Sequence, residues 1–323
     1  MTGHPRQRPI TVGIRVPHEL FEGGAAALRQ GVEAIVGAGI DRVCVGDHIS
    51  FHGGRGYDGL VYATALTALC DLEIQTAIYL LPLRHPVPVA RQVNSLAQLA
   101  EGRFIFGVGI GGEDPNEVRM CGVDPTTRGR RMDESLEIVR DLLAGESVSR
   151  HGGFFEIDGA QMTPTLTSPV PIVVGGRSEA ALRRAGRLAD GHLAVWVSPE
   201  RYAKSIAIVE QHAADDGRIG VGWRHGLQIW CGFGDSPADG RAALAAAMEG
   251  LYNTPFEKFE RTSPYGSPAQ VAEFLQPFID VGCRDINIIP VAATPHEATE
   301  AVAEVRRLLN RQVTTPDSSR AAI

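Results

Sequence analysis

Short apolar runs punctuate the chain at a nearly constant interval, and this rhythm limits the possible folds more than any single motif does. Runs begin near Ile10 (ITVGIRV), Asp41 (DRVCVG), Glu73 (EIQTAIYLL) and Arg103 (RFIFGVG), spaced by 31, 32 and 30 residues. Four more begin near Pro171 (PIVVG), Gly191 (GHLAVWV), Gly226 (GLQIWCGFG) and Arg284 (RDINIIP). Their consecutive Val and Ile positions suit strands buried on both faces, as in a parallel sheet. Between them apolar residues recur at helical spacing. Leu28, Val32 and Ile35 share a face, as do Val89, Val93, Leu96 and Ala100. Met132, Leu136, Val139 and Leu143 repeat the pattern, and so do Ala298, Val302, Val305 and Leu309. Ser267, Pro268 and Gln270 form a capping-box helix start.

Eight βα units in 323 residues predict an α/β chain folded as a (β/α)8 TIM barrel, a fold of about 250 residues before insertions. A doubly wound open sheet is the alternative, but eight units without a clear crossover break favour closure. The surplus length falls after strands 4 and 7. Residues 113–160 hold an acidic Gly/Pro loop, a helix and a small hairpin (SVSRHGGFFEID), and residues 235–266 hold an Ala-rich helix. Both insertions follow carboxyl ends of strands, where barrel enzymes build their sites. Residues 1–312 are expected to form one domain, and the polar stretch 313–323 a flexible tail.

Composition excludes several function classes. With 44% hydrophobic and 21% charged residues the chain is not disordered. A net charge of −7 with scattered Lys and Arg gives no basic stripe for nucleic acid. The apolar runs are strand-sized, well short of the roughly 20 residues a membrane helix needs, and the N-terminus has no apolar core of a secretory signal. Five cysteines without C-x-x-C spacing argue against a disulfide frame or zinc knuckle. A cytoplasmic protein is expected.

Residues just beyond strand ends are the functional candidates. Strand 2 ends in Val45-Gly46-Asp47-His48, a carboxylate beside an imidazole, and His is the side chain best matched to proton transfer near neutral pH. A loop histidine capping a strand end is the competing reading. His52 invites a metal reading with His48, but no third ligand is evident and no metal is expected. After strand 3, His85 before a proline reads as a turn residue; Arg84 is either functional or half of a surface ion pair. Strand 4 ends in Gly107-Val108-Gly109-Ile110-Gly111-Gly112, formally G-x-G-x-x-G. It lies in the fourth unit, with Glu113, Asp114 and Pro115 where a phosphate-binding helix should start, so a Rossmann dehydrogenase is disfavoured. A strand end so free of side chains does let a flat ligand approach the backbone. The best anion site follows strand 5. There Gly175, Gly176, Arg177 and Ser178 precede a helix whose N-terminus directs N–H groups outward. Trp196 and Tyr79 are candidates for pocket walls or for ordinary packing.

Five segments carry a family resemblance: TAIYLLPLRHPVPVARQVNSLAQLAEGRFIFGVGIGG, VGDHISF, RGRRMDESLEIVRDLLAGE, PIVVGGRSEAALRRAGRLADGH and YGSPAQVAEFLQPFIDVGCRDINIIP. In this order, from Ile10 to about Leu309, the chain resembles the bacterial luciferase-like superfamily, particularly its deazaflavin (F420)-dependent oxidoreductases. The resemblance implies a barrel, often dimeric, holding flavin or F420 at the carboxyl ends of its strands. It implies a non-proline cis peptide in a strand-3 bulge behind the cofactor ring, at the positions of Ala77 and Ile78. Asp47 and His48 match a pair beside the deazaflavin, near the point of hydride exchange. Gly175, Gly176, Arg177 and Ser178 match the cofactor phosphate site, and the backbone at Ile110 and Gly111 matches contacts to the ring edge. One departure stands out: sugar-phosphate dehydrogenases of the family place a catalytic Glu where this chain has Gly112, and Glu113 comes one place late.

The expectation is an F420-dependent oxidoreductase that transfers a hydride between the cofactor and a small organic substrate. His48 would be the proton donor or acceptor, and Asp47 would orient the cofactor. The closest alternative is an FMN-dependent monooxygenase of the same superfamily, working with a flavin reductase. A third reading is a non-catalytic protein that stores or delivers flavin or F420.

Overall fold

A computed structural model describes residues 9–314. The tail expected from 313 onward therefore lies outside the described residues, apart from the last turn of the helix Pro295–Thr314. The strands are β1 (Thr11–Arg15), β2 (Arg42–Val45), β3 (Glu73–Thr76), β4 (Phe104–Val108), β5 (Val148–Arg150) and β6 (Ile157–Ala160). They continue as β7 (Ile172–Gly175), β8 (Gly191–Val195), β9 (Gly226–Phe233), β10 (Tyr265–Gly266) and β11 (Asp285–Val291). The sheet runs β9-β11-β1-β2-β3-β4-β7-β8, and β8 pairs back onto β9, so eight parallel strands close into the expected (β/α)8 barrel. All eight apolar runs became barrel strands.

Both predicted insertions are present. The first carries the helix Arg128–Leu143 and the antiparallel hairpin β5–β6. The second carries the helix Pro237–Tyr252 and then the two-residue β10, which extends β9 at the rim. The capping box forms as read: Ser267 accepts from the Gln270 N–H, and the Gln270 side chain reaches back. No described helix is long and apolar enough to cross a membrane.

Alternation along each strand divides the core. Val12, Ile14, Val43, Val45, Phe104 and Phe106 face the helices in one continuous buried cluster. The residues between them face the barrel interior, which is filled in layers. At the amino-terminal end Arg42 pairs with Glu73 and Asp285, each at 2.7 Å, and Arg224 also binds Glu73. Asn287 bridges this network to Gln75 at 3.0 Å. Above that plug lies a small apolar layer of Cys44, Ala77, Ile105, Val173 and Leu193. Side chains thus fill the amino-terminal half of the interior, which leaves the carboxyl ends of the strands as the place for a ligand.

Candidate active site

The loop after β2 is built around a buried carboxylate. Asp47 Oδ1 accepts from the Gly59 N–H (3.0 Å) and from Arg84 Nη2 (2.8 Å). Its Oδ2 accepts from the Leu80 N–H (2.9 Å) and from Arg84 Nη1 (2.6 Å). Four donors saturate a carboxylate. Asp47 therefore ties the β2 loop, the start of the helix Gly59–Thr67 and the turn after β3 into one unit, and it keeps no oxygen for a ligand. Arg84 also stacks 4.2 Å from the centre of the Tyr79 ring and reaches the half-exposed Asp58 at 3.2 Å, so it joins a buried ion pair to a surface one. Tyr79 is fully buried. His85 caps the helix Pro86–Ala100, accepting from the Val87 N–H at 3.3 Å, as its place before proline suggested.

His48 is placed differently. Its Nδ1 lies 3.0 Å from Glu117 Oε2, and its ring stacks on Phe51 with centroids 4.1 Å apart. Because a carboxylate only accepts, Nδ1 carries the proton and Nε2 is the ring nitrogen left for chemistry. Glu117 also accepts from the backbone N–H groups of Ile49 (2.6 Å) and Ser50 (3.1 Å). Burial alone would raise its pKa; the hydrogen bond and charge of His48 and the two N–H donors outweigh burial and hold it below the usual glutamate range. Asp114, one turn earlier, accepts from the His52 N–H at 2.9 Å while capping the helix Pro115–Met120. Two carboxylates of the β4 loop thus clamp the β2 loop and fix the imidazole.

Sequence reasoning missed Glu117. D-P-N-E looks like a self-contained helix start, in which the glutamate would fold back on its own cap. The available signal was the loop after β2, whose N–H groups at Ile49 and Ser50 had no local acceptor in the sequence and required one from elsewhere.

The opposite wall is made of glycines around the strand-3 bulge. The Ala77–Ile78 peptide is cis, at the positions the resemblance implied. Ile78 packs into the space left by Gly109 and Gly175: a Cβ on Gly109 would lie 1.9 Å from Ile78 Cδ1, and one on Gly175 would lie 3.1 Å from Cγ2. Gly111 adopts a left-handed φ of 63° beside Leu80, with Ile110 packed on the core edge. Ala77, Ile78, Ile110, Gly111 and Gly175 therefore surround one side of the mouth, offering backbone and short apolar groups to a flat ligand. At its rim Ser178 caps the helix Glu179–Leu188, accepting from the Ala181 N–H at 3.2 Å. Gly176 takes a φ of 130°, and Arg177 and Ser178 are exposed. Arg201 adds a second guanidinium, hydrogen-bonded to the Arg177 carbonyl at 3.4 Å. Two cations at a capped helix N-terminus suit a phosphate, and the Ile78 side chain with the backbone at Ile110 and Gly111 offers an apolar surface to a planar ring, so these residues fit a phosphorylated flavin or deazaflavin.

The remaining sector, from β8 through β9 to β1, is aromatic. Trp196, Trp230, Tyr252 and Phe259 form one cluster, with Arg177 stacked 5.4 Å from the Trp196 ring.

Comparison with known proteins agrees with this architecture. An uncharacterised protein of Mycobacterium tuberculosis is 42% identical over 159 residues, covering 49% of this chain and 54% of the relative. The F420-dependent glucose-6-phosphate dehydrogenase of Nakamurella multipartita is 32% identical, over 57% of this chain and 56% of that enzyme. A 4-hydroxyprotoasukamycin monooxygenase of Streptomyces nodosus is also 32% identical, over 64% and 54%. The matches span just over half the length of these relatives. Among solved structures, an F420-dependent secondary alcohol dehydrogenase bound to an F420-acetone adduct superposes with a TM-score of 0.81 at 19% identity, covering 94% of this chain and 99% of that one. The EDTA monooxygenase of Chelativorans gives 0.76 at 18%, covering 96% and 95%. The family model described as luciferase-like monooxygenase matches residues 12–312, and the chain belongs to that family.

Proposed function

We propose that this protein is an F420-dependent oxidoreductase, moving a hydride between the deazaflavin and a small organic substrate. The observation that carries the reading is the pairing of His48 with buried Glu117 at the rim of a glycine-walled mouth. F420, when bound, supplies a ring carbon that gives or accepts a hydride. Arg177, Arg201 and the first turn of the helix Glu179–Leu188 would hold its phosphate. The Ala77–Ile78 floor and the backbone at Ile110–Gly111 would support its ring. Asp47 would act only through the loops it anchors.

Hydride transfer to a carbonyl leaves an oxygen that needs a proton, and the reverse reaction must remove one. His48 Nε2 would move that proton, and Glu117 would hold the ring orientation and stabilise the imidazolium. The same residues serve either direction. The reading keeps the expectations of a single barrel domain, a homodimer and a cytoplasmic setting.

Parallel fluorescence titrations with oxidised F420 and with FMN test it. Tighter F420 binding supports the hydride-transfer reading. Preferential FMN binding would replace it with an oxygen-consuming monooxygenase supplied by a reductase.

A further inference from the structure

The aromatic sector of the mouth contains hydrogen-bond donors that the protein does not satisfy. Alternation along β1 turns Val12 and Ile14 toward the helices and Gly13 and Arg15 toward the interior. The Arg15 guanidinium lies over Gly46, where a Cβ would sit 1.8 Å from Nη2. It donates from Nη1 to the Ala77 carbonyl at 3.2 Å and has no carboxylate within ion-pair distance among the described residues. Its nearest acid by charge is Asp47, which Arg84 already neutralises. A largely desolvated guanidinium without its own anion is costly unless a ligand completes it.

Two further donors belong to the aromatic cluster of the same sector. Tyr252 is close enough to Arg15 for each to shift the other's ionisation. Its phenol oxygen accepts from Trp230 Nε1 at 3.2 Å, which leaves its own hydrogen to donate elsewhere. The Tyr252 pKa is pushed up to about 12, chiefly by burial, so that hydrogen stays in place at neutral pH. Trp196 meets Tyr252 edge to face, 5.2 Å between centroids, and its Nε1 is buried with no partner. A buried unpaired donor in a native structure calls for an explanation.

We propose that Arg15, Tyr252 and Trp196 form a receptor for the carboxylate of a flat aromatic substrate, which makes Arg15 a specificity-determining residue. Arg15 and Tyr252 would take the carboxylate oxygens, Trp196 Nε1 would add a third donor, and the rings of Trp230 and Phe259 would stack on the apolar body. Arg15 touches the Ala77 carbonyl and Trp196 stacks with Arg177, so a substrate held here borders the cofactor of the proposed function, on which this inference rests.

The chain has three tryptophans, two of them in this cluster, so intrinsic fluorescence reports directly on the receptor. The probes are benzoate and its neutral isostere benzamide, titrated into the full chain with and without F420. Benzoate should quench fluorescence at least tenfold more tightly than benzamide. Arg15→Gln should abolish that preference while leaving F420 affinity within twofold, and Trp196→Phe should remove most of the signal change. Gly46→Ala, which displaces the guanidinium without deleting it, should also weaken benzoate selectively. Equal binding of the two probes, no binding of benzoate, or a preference that survives Arg15→Gln in a folded variant overturns the proposal. So does an Arg15→Gln defect confined to F420, which would assign these donors to the cofactor. Failure of F420 to bind while benzoate selectivity persists would sink the proposed function and leave the receptor standing.

Discussion

His48 Nδ1 and Glu117 Oε2 stand 3.0 Å apart although 69 residues separate them, and this contact fixes which imidazole nitrogen faces the mouth. Glu117→Gln can still accept a hydrogen bond from His48 but no longer neutralises an imidazolium. Turnover should fall on the order of 100-fold, the lower end of the usual range for acid–base assistance. F420 affinity should change little. Unchanged turnover in a folded Glu117→Gln variant would show that the His48–Glu117 pair takes no part in the rate-limiting step.

Glu117→Ala has a structural consequence as well. It leaves the Ile49 and Ser50 N–H groups without their acceptor. A hydrogen bond to a charged group contributes about 1.5–3 kcal/mol. Urea denaturation should show a loss of that size, larger than for Glu117→Gln.

Asp47→Ala should be among the most destabilising single changes near the mouth. It strips Arg84 of both bonds to its bidentate partner and frees the Gly59 and Leu80 N–H groups. Breaking a buried pair by deleting one member costs about 3–5 kcal/mol. Asp47→Ala with Arg84→Met should recover part of the loss, since an apolar pair no longer strands a charge. An Asp47→Ala variant of wild-type stability, measured by urea denaturation, would contradict the role of Asp47 as the anchor of these loops.

His192 and His225 make the barrel acid-sensitive. Burial pushes their pKa values down to about 4 and about 3, and both are neutral in the folded chain at pH 7. Unfolding lets them return to about 6.5, so the unfolded state binds more protons below that pH. The stability they contribute is therefore fully present above pH 6.5 and lost as pH falls from there toward 4. The slope approaches about 1.4 kcal/mol per pH unit for each histidine. His192→Asn or His225→Asn variants should show a flatter fall in stability between pH 6.5 and 4.5 in thermal melts.

The barrel was legible because its strands are buried on both faces: runs such as PIVVG and RDINIIP can hardly belong to another layer arrangement. The hairpin β5–β6 was legible from the two glycines in SVSRHGGFFEID. Position alone placed His48 at the mouth, and the glycines with Ser178 marked the capped helix. What stayed hidden was side-chain pairing across loops. Asp47 and His48 are adjacent in sequence, yet one is consumed by Arg84 and the other held by Glu117, and nothing local distinguishes them. Arg15 reads as an ordinary charge at a strand end until β1 is placed beside Gly46 in the barrel. Trp196 is a similar case, since an aromatic after a strand is ordinary until its Nε1 proves buried and unpartnered.

The phosphate reading of the 175–178 loop predicts a selective binding defect. Arg177→Ala should raise the Kd for F420 roughly five- to tenfold and weaken its salt dependence, because a guanidinium–phosphate contact is screened by ions. The deazaflavin chromophore lacking its phosphate should bind wild type and variant alike. Equal losses for both ligands would mean that Arg177 acts through Trp196 instead.

The most direct test of the central claim is the Kd of the purified chain for oxidised F420 against FMN under identical conditions. F420 is expected to bind at least tenfold more tightly, with its fluorescence perturbed on entering the mouth beside Ile78. Tighter binding of FMN, or no saturable binding of F420, would contradict it.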